Sequence, residues 1–176
     1  VSSAALAVSL SAASVSDVSV DYAVTGGTAT GGGTDYTLAN GTLTILAGFV
    51  TGDINITGIV DDLLDEANET VVVTLSNPTN ATLGTNTVHT YTITDNDDAP
   101  TVAFDATTSS GLESVSSAAL AVSLSAASGL DVSVDYAVTG GTATGGGTDY
   151  TLASGTLTIL AGSVTGDVTI TAIVDD

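Results

Sequence analysis

The residues of this chain whose types and spacing suit chemistry are carboxylates, gathered in two runs. Asp61, Asp62, Asp65, Glu66 and Glu69 form the first, and Asp95, Asp97 and Asp98 flank or follow Asn96 in the second. Carboxylates held within a few ångströms of one another repel unless they are protonated or bridged by a cation. A hard divalent ion with oxygen ligands suits them best, and calcium, which accepts roughly six to eight oxygens in flexible geometry, suits them better than magnesium. The plainer alternative is that these acids are solvated turn formers. Against it stands the lack of any cationic partner: the chain has no Lys or Arg beside 20 Asp plus Glu, for a formal net charge of -20.

That balance also excludes functions. Binding a phosphate backbone relies on cationic side chains that displace counterions, so nucleic acid is not a partner. Anionic membrane surfaces are disfavoured for the same reason, and no apolar run reaches the ~18 residues of a membrane span. Without Cys there are no disulfides. A single histidine, His89, alternates with Tyr91 and Ile93 as a strand residue does, and no nucleophile has a recognisable base and orienting group. Enzymatic chemistry is not expected.

The elements that must position the carboxylates are strands. Period-2 alternation with β-branched residues dominates, punctuated by Gly, Asn and Asp, and no segment sustains a 3.6-residue apolar face. Leu6, Val8 and Leu10 alternate with small residues, as Val18, Val20, Tyr22 and Val24 alternate with Ser, Asp and Ala. Further strands are expected at Thr42 to Leu46, Asp53 to Val60, Glu69 to Ser76 (ended by Pro78), Thr87 to Thr94 and Thr101 to Asp105. About seven short strands in ~110 residues read as an all-β, two-sheet antiparallel β-sandwich. Both acidic runs then fall where strands end, and loops at one end of a sandwich converge.

The sandwich is repeated. Residues 1–62 return as residues 115–176, an offset of 114, with seven substitutions: Val15 to Gly129, Ser16 to Leu130, Asn40 to Ser154, Phe49 to Ser163, Ile54 to Val168, Asn55 to Thr169 and Gly58 to Ala172. The period suits an independently folding domain rather than a solenoid. The expected division is residues 1–98, lacking a first strand, and residues 99–176, lacking the last two, as an excerpt of a longer tandem array. An apolar content of 43% with aromatics at 4% predicts a folded chain with a thin aliphatic core.

Several motifs in fixed order resemble the Calx-beta domain family. They are Gly27-Thr28-Ala29-Thr30 running to Gly33-Thr34-Asp35-Tyr36, Gly41 to Ile45, Ile59-Val60-Asp61-Asp62, Asp65 to Thr70, Val73 to Pro78, and Thr92-Ile93-Thr94-Asp95-Asn96-Asp97. The first of these recur as Gly141 to Tyr150, Gly155 to Ile159 and Ile173 to Asp176. The resemblance implies an immunoglobulin-like sandwich that binds Ca2+, found in sodium-calcium exchangers, integrin β4 and long bacterial surface proteins. By position it implies as ligands Asp35 or Asp149, the pair Asp61 and Asp62 or Asp175 and Asp176, the Leu64 carbonyl, Glu66, Glu69, Asp95 and Asp97. Glu113 matches a glutamate that the family uses between its first and second strands. Asn96 stands where the family's best calcium binders carry a third Asp.

Together these readings give the expectation of a non-enzymatic structural repeat of a long bacterial surface protein, adhesin or filament, extracellular and stiffened by calcium. Its partners are neighbouring repeats, and like chains where a fibre forms. A regulatory calcium-sensor pair and a ligand-binding adhesin module are the alternatives. Nearly identical repeats argue against both, since each would need differentiated domains or surfaces.

Overall fold

In a computed structural model that describes residues 2–175, every regular element is a strand and all strand pairs are antiparallel. The chain divides into two compact units. The first runs through Asp62 and resumes over Ala67–Asp95; the second takes Leu63–Glu66 together with the chain from Asn96 onward.

In the first unit the strands are β1 (Ser3–Ser9), β2 (Val18–Gly27), β3 (Gly41–Ile45), β4 (Thr51–Thr57), β5 (Glu69–Thr79) and β6 (Val88–Ile93). One sheet has the order β3-β2-β5-β6 and the other pairs β1 with β4. Alternation places one face of each strand inward, and the core forms where the two faces meet. Leu6 of β1, Ile54 and Ile56 of β4, and Val71 and Val73 of β5 are buried there with Tyr36. Val24, Leu43, Leu75 and Tyr91 pack around them.

The expected strands are present with two corrections. β4 was expected to reach Val60 but stops at Thr57, because Gly58 takes a φ of 57° and turns the chain. Pro78 does not end β5, which continues to Thr79. Opposite it the register jumps from Asp21↔Ser76 to Ser19↔Thr79, a bulge in which Asn77 (φ 46°) and Pro78 face Val20. At a bulge the missing proline donor has no ladder bond to break.

The second unit contains β7 (Val102–Phe104), β8 (Ser117–Leu124), β9 (Val132–Tyr136), β10 (Gly155–Ile159) and β11 (Thr165–Thr171). Its sheets are β11-β8-β7 and β10-β9. β8, β9, β10 and β11 repeat β1, β2, β3 and β4. The pairing repeats too: Leu6↔Ile54 becomes Leu120↔Val168, and Val20↔Leu43 becomes Val134↔Leu157. Val122, Leu124, Ile159 and Val168 form its core.

The two units are not equally furnished. β2 is flanked by β3 and β5, whereas its copy β9 pairs only with β10; β8 is flanked by β11 and β7, whereas its copy β1 pairs only with β4. Burial follows the neighbours. Ile56 and Tyr36 are buried and their copies Ile170 and Tyr150 are half-buried, while Val122 and Leu124 are buried and their copies Val8 and Leu10 are half-buried.

Candidate carboxylate site at the strand ends

The ladder registers bring the first unit's acidic positions to one end of its sheets. The last residues of β2 pair with the first of β5 (Gly27↔Val71), and the first residue of β5 pairs with the last of β6 (Glu69↔Ile93). Asp95 lies two residues beyond the end of β6, and its backbone N–H donates to the Asn68 side-chain oxygen at 2.9 Å. The Gly-rich loop that leaves β2 is tied to the same end by Ala29 N–H donating to the Thr70 carbonyl at 3.0 Å.

Asp35 closes that loop. Its carboxylate accepts the Thr30 N–H at 2.6 Å and its own N–H donates to the Thr30 carbonyl at 3.0 Å. Its carbonyl accepts the Val60 N–H at 3.0 Å, which sets Asp61 and Asp62 directly after that contact. Thr37 and Thr57 exchange backbone bonds of 2.7 and 3.0 Å and fix the loop against the end of β4. The fold therefore gathers Asp35, Asp61, Asp62, Glu69 and Asp95 at one end of the first unit. Asp61 and Asp62 are exposed, and the other three are half-buried.

The second unit holds the remaining candidates. Asp149 repeats Asp35, accepting the Thr144 N–H at 2.6 Å and giving its carbonyl to Val174 N–H at 3.0 Å, so Asp175 stands where Asp61 stands in the first unit. Asp176 lies outside the described residues. Glu113 is exposed in the segment leading to β8, and three residues later the Ser116 carbonyl accepts the Ile173 N–H at 3.3 Å.

Leu64 and Glu66 also belong to the second unit, and Asp97 with them. Within it, Asp65 accepts the Ser128 hydroxyl at 3.2 Å through both its carbonyl and its carboxylate, and its carbonyl accepts the Gly129 N–H at 3.0 Å. Ser128 is buried to 1% exposure. Glu66 lies so close to Gly129 that a Cβ there would come within 2.7 Å of the Glu66 Cγ. This role for Asp65 was not expected from sequence. The one trace of it is the replacement of Val15 by Gly129.

Other acids serve the scaffold. Asp17 and Asp131 cap the turns after β3 and β10 by accepting the Ala47 and Ala161 N–H groups at 2.8 and 2.9 Å. Asp21 accepts the Thr42 hydroxyl at 2.6 Å and the Asn77 amide at 3.2 Å, and these two bonds, Thr42's first, hold its carboxyl below the usual carboxylate range. Asp135 keeps the Thr156 bond at 2.6 Å.

As a cation site the candidates match in donor chemistry, being carboxylates and a carbonyl with no amine or thiol among them. In arrangement they are open: among the described residues no three of His, Asp and Glu converge tightly enough to hold a metal ion.

The family model for the Calx-beta domain matches residues 2–97 and again residues 95–176. No curated protein matches the chain. Two solved structures resemble it over 99% of its length and 70% of theirs: calcium binding domain CBD12 of CALX1.1, at 26% identity and a TM-score of 0.51, and CBD12 from CALX1.2, at 27% identity and a TM-score of 0.50.

Proposed function

The chain belongs to the Calx-beta domain family, and from that premise we propose that it is a non-enzymatic, calcium-binding spacer in a long extracellular surface protein of bacterial type. The observation that carries the calcium reading is the gathering of Asp35, Asp61, Asp62, Glu69 and Asp95 at one end of the first unit in a chain without a single cationic side chain. Carboxylates so placed repel, and that repulsion is relieved by a divalent ion of oxygen preference. The similar solved structures include one described as a calcium binding domain, which supports the same ion.

Asp61, Asp62, Glu69 and Asp95 would hold the ion in the first unit, with Asp35 positioned by its loop bond to Thr30. Asp149 and Asp175 are their counterparts in the second unit, beside Glu113. Bound calcium supplies positive charge that ties strand ends together. The spacer role is supported by repetition: 55 of 62 positions are identical between the copies, as suits units that do one mechanical job. The lack of Lys and Arg also removes every trypsin-type cleavage site, an advantage outside a cell.

The test is thermal unfolding of the chain after chelation, with calcium added back and magnesium as control. An ion that binds only the folded state adds about 2.7 kcal/mol at a hundredfold excess over Kd. For units of this size that raises Tm by upwards of about 10 °C. The rise is expected with calcium alone, and the Asp61→Ala, Glu69→Ala variant loses the first unit's share of it. An unchanged melt in saturating calcium refutes the reading. The tandem CBD12 likeness favours one rival, a calcium sensor, which predicts two well-separated calcium affinities where the spacer predicts similar ones.

A further inference from the structure

We propose that the turn at residues 128–130, between β8 and β9, is a docking site for an acidic Asp-Glu segment, and that glycine at position 129 is the residue that admits it. The occupant is Leu63–Glu66, which belongs to the second unit with the turn. A turn with valine at that position, as the first copy has in Val15, refuses the same segment.

A chain without Lys or Arg can recognise an acidic segment only through hydroxyl and N–H donors. The turn supplies both. The Ser128 hydroxyl donates to the Asp65 carboxylate and carbonyl at 3.2 Å each, and Gly129 N–H donates to that carbonyl at 3.0 Å. Leu130 N–H donates to the Ser128 oxygen at 3.0 Å and fixes the hydroxyl in place. Ser128 is 1% exposed, and a polar group so buried must find a partner; Asp65 is that partner.

The turn backbone is the same in both copies. Gly162 N–H donates to the Ser128 carbonyl at 2.8 Å as Gly48 N–H does to the Ser14 carbonyl, and Ser16 N–H donates to the Ser14 side-chain oxygen at 3.1 Å. Gly129 lies outside the left-handed region, and Val15 occupies the corresponding place, so the backbone itself does not require glycine. The approach of the segment does. A Cβ on Gly129 would lie 2.7 Å from the Glu66 Cγ, 2.8 Å from its Oε1 and 3.2 Å from its Cδ, inside the roughly 3.5–4.0 Å at which non-bonded carbons rest. Valine adds two methyl groups to that Cβ. Of the seven differences between the copies, two fall side by side in this turn, Val15 to Gly129 and Ser16 to Leu130. The copies thus differ where one of them receives the segment, and position 129 sets which kind of repeat can follow it.

The test is the full chain carrying Gly129→Val, studied in chelator so that calcium plays no part. Hydrogen exchange at the residue-129 amide, which donates to Asp65 in the parent, should become at least tenfold faster. Cleavage after Glu66 by a glutamate-specific protease should speed up with it. The Val122 and Val168 amides, in the β8–β11 ladder, should keep the parent's protection. Gly129→Ala should act in the same direction and less strongly. Adding Glu66→Ala to Gly129→Val removes the three atoms that the new Cβ meets and should restore slow exchange at residue 129. Unchanged exchange there in Gly129→Val overturns the proposal, because the Glu66 side chain has then swung aside with the segment still docked. Failure of Glu66→Ala to restore it overturns the proposal as well, and so does loss of protection at Val122 and Val168, which would make glycine a requirement of the fold rather than of the segment.

Discussion

Gly27 and its copy Gly141 offer the sharpest test of how the strands of this fold meet. Both have a positive φ, 119° and 125°, a region that costs a residue with a Cβ about 1–2 kcal/mol. Their surroundings differ. A Cβ on Gly27 would sit 2.1 Å from the Thr70 carbonyl oxygen and 2.8 Å from its carbon, whereas one on Gly141 meets nothing within 4 Å. In Gly27→Ala the backbones of β2 and β5 must therefore part at the Gly27↔Val71 pair. The retreat strains the Ala29 N–H bond to the Thr70 carbonyl (3.0 Å) and the Thr70 N–H bond to the Thr28 hydroxyl (2.9 Å). Two hydrogen bonds at about 0.5–1.5 kcal/mol each bring the expected loss to about 3 kcal/mol, against about 1–2 for Gly141→Ala. Urea-dependent hydrogen exchange at the core amides of each unit separates the two effects. Val71 and Val73 amides should lose protection in the first variant and keep it in the second. Equal destabilisation by the two substitutions would refute the idea that close approach, rather than backbone conformation alone, requires glycine at position 27.

Two further outcomes follow from the same comparison of copies and from the charge network. Ala172 holds a φ of 49° at the position where the first copy has Gly58 at 57°, so Ala172→Gly should stabilise the second unit by about 0.5–1 kcal/mol and Gly58→Ala should destabilise the first by a similar amount, both read by urea unfolding. Asp21, lowered by the Thr42 hydroxyl and then by the Asn77 amide, should titrate below 3.8 in carboxyl-detected NMR. Because its folded value lies under the unfolded one, its contribution is present above the ordinary Asp range and is lost as pH falls through the folded value. Thr42→Val should return the midpoint toward 3.8.

How much of this was legible in sequence depends on how local each determinant is. The alternation of Leu6, Val8 and Leu10 is a property of the strand itself, and β1 is where it predicts. The end of β4 was not legible, because the alternation runs on to Val60 and only the positive φ of Gly58 turns the chain after Thr57. The fate of Pro78 was hidden because it depends on the partner: the bulge against Val20 exists only once β2 and β5 are paired. The carboxylate positions could be read because they sit at strand ends, and strand ends follow from the pattern. Which of them share a unit could not, since Leu63–Glu66 joins the second unit through Asp65, Ser128 and Gly129, residues far apart in the chain.

The two copies also show that burial here belongs to the neighbourhood rather than to the sequence. Leu6 is buried where Val71 and Val73 of β5 lie across from it, and its copy Leu120 is half-buried; for Val8 and Val122 the relation is reversed. With a core of Val, Ile and Leu and few aromatics, each strand supplies a large share of the apolar contact that a unit has. Such a repeat is firm only when all its strands are in place.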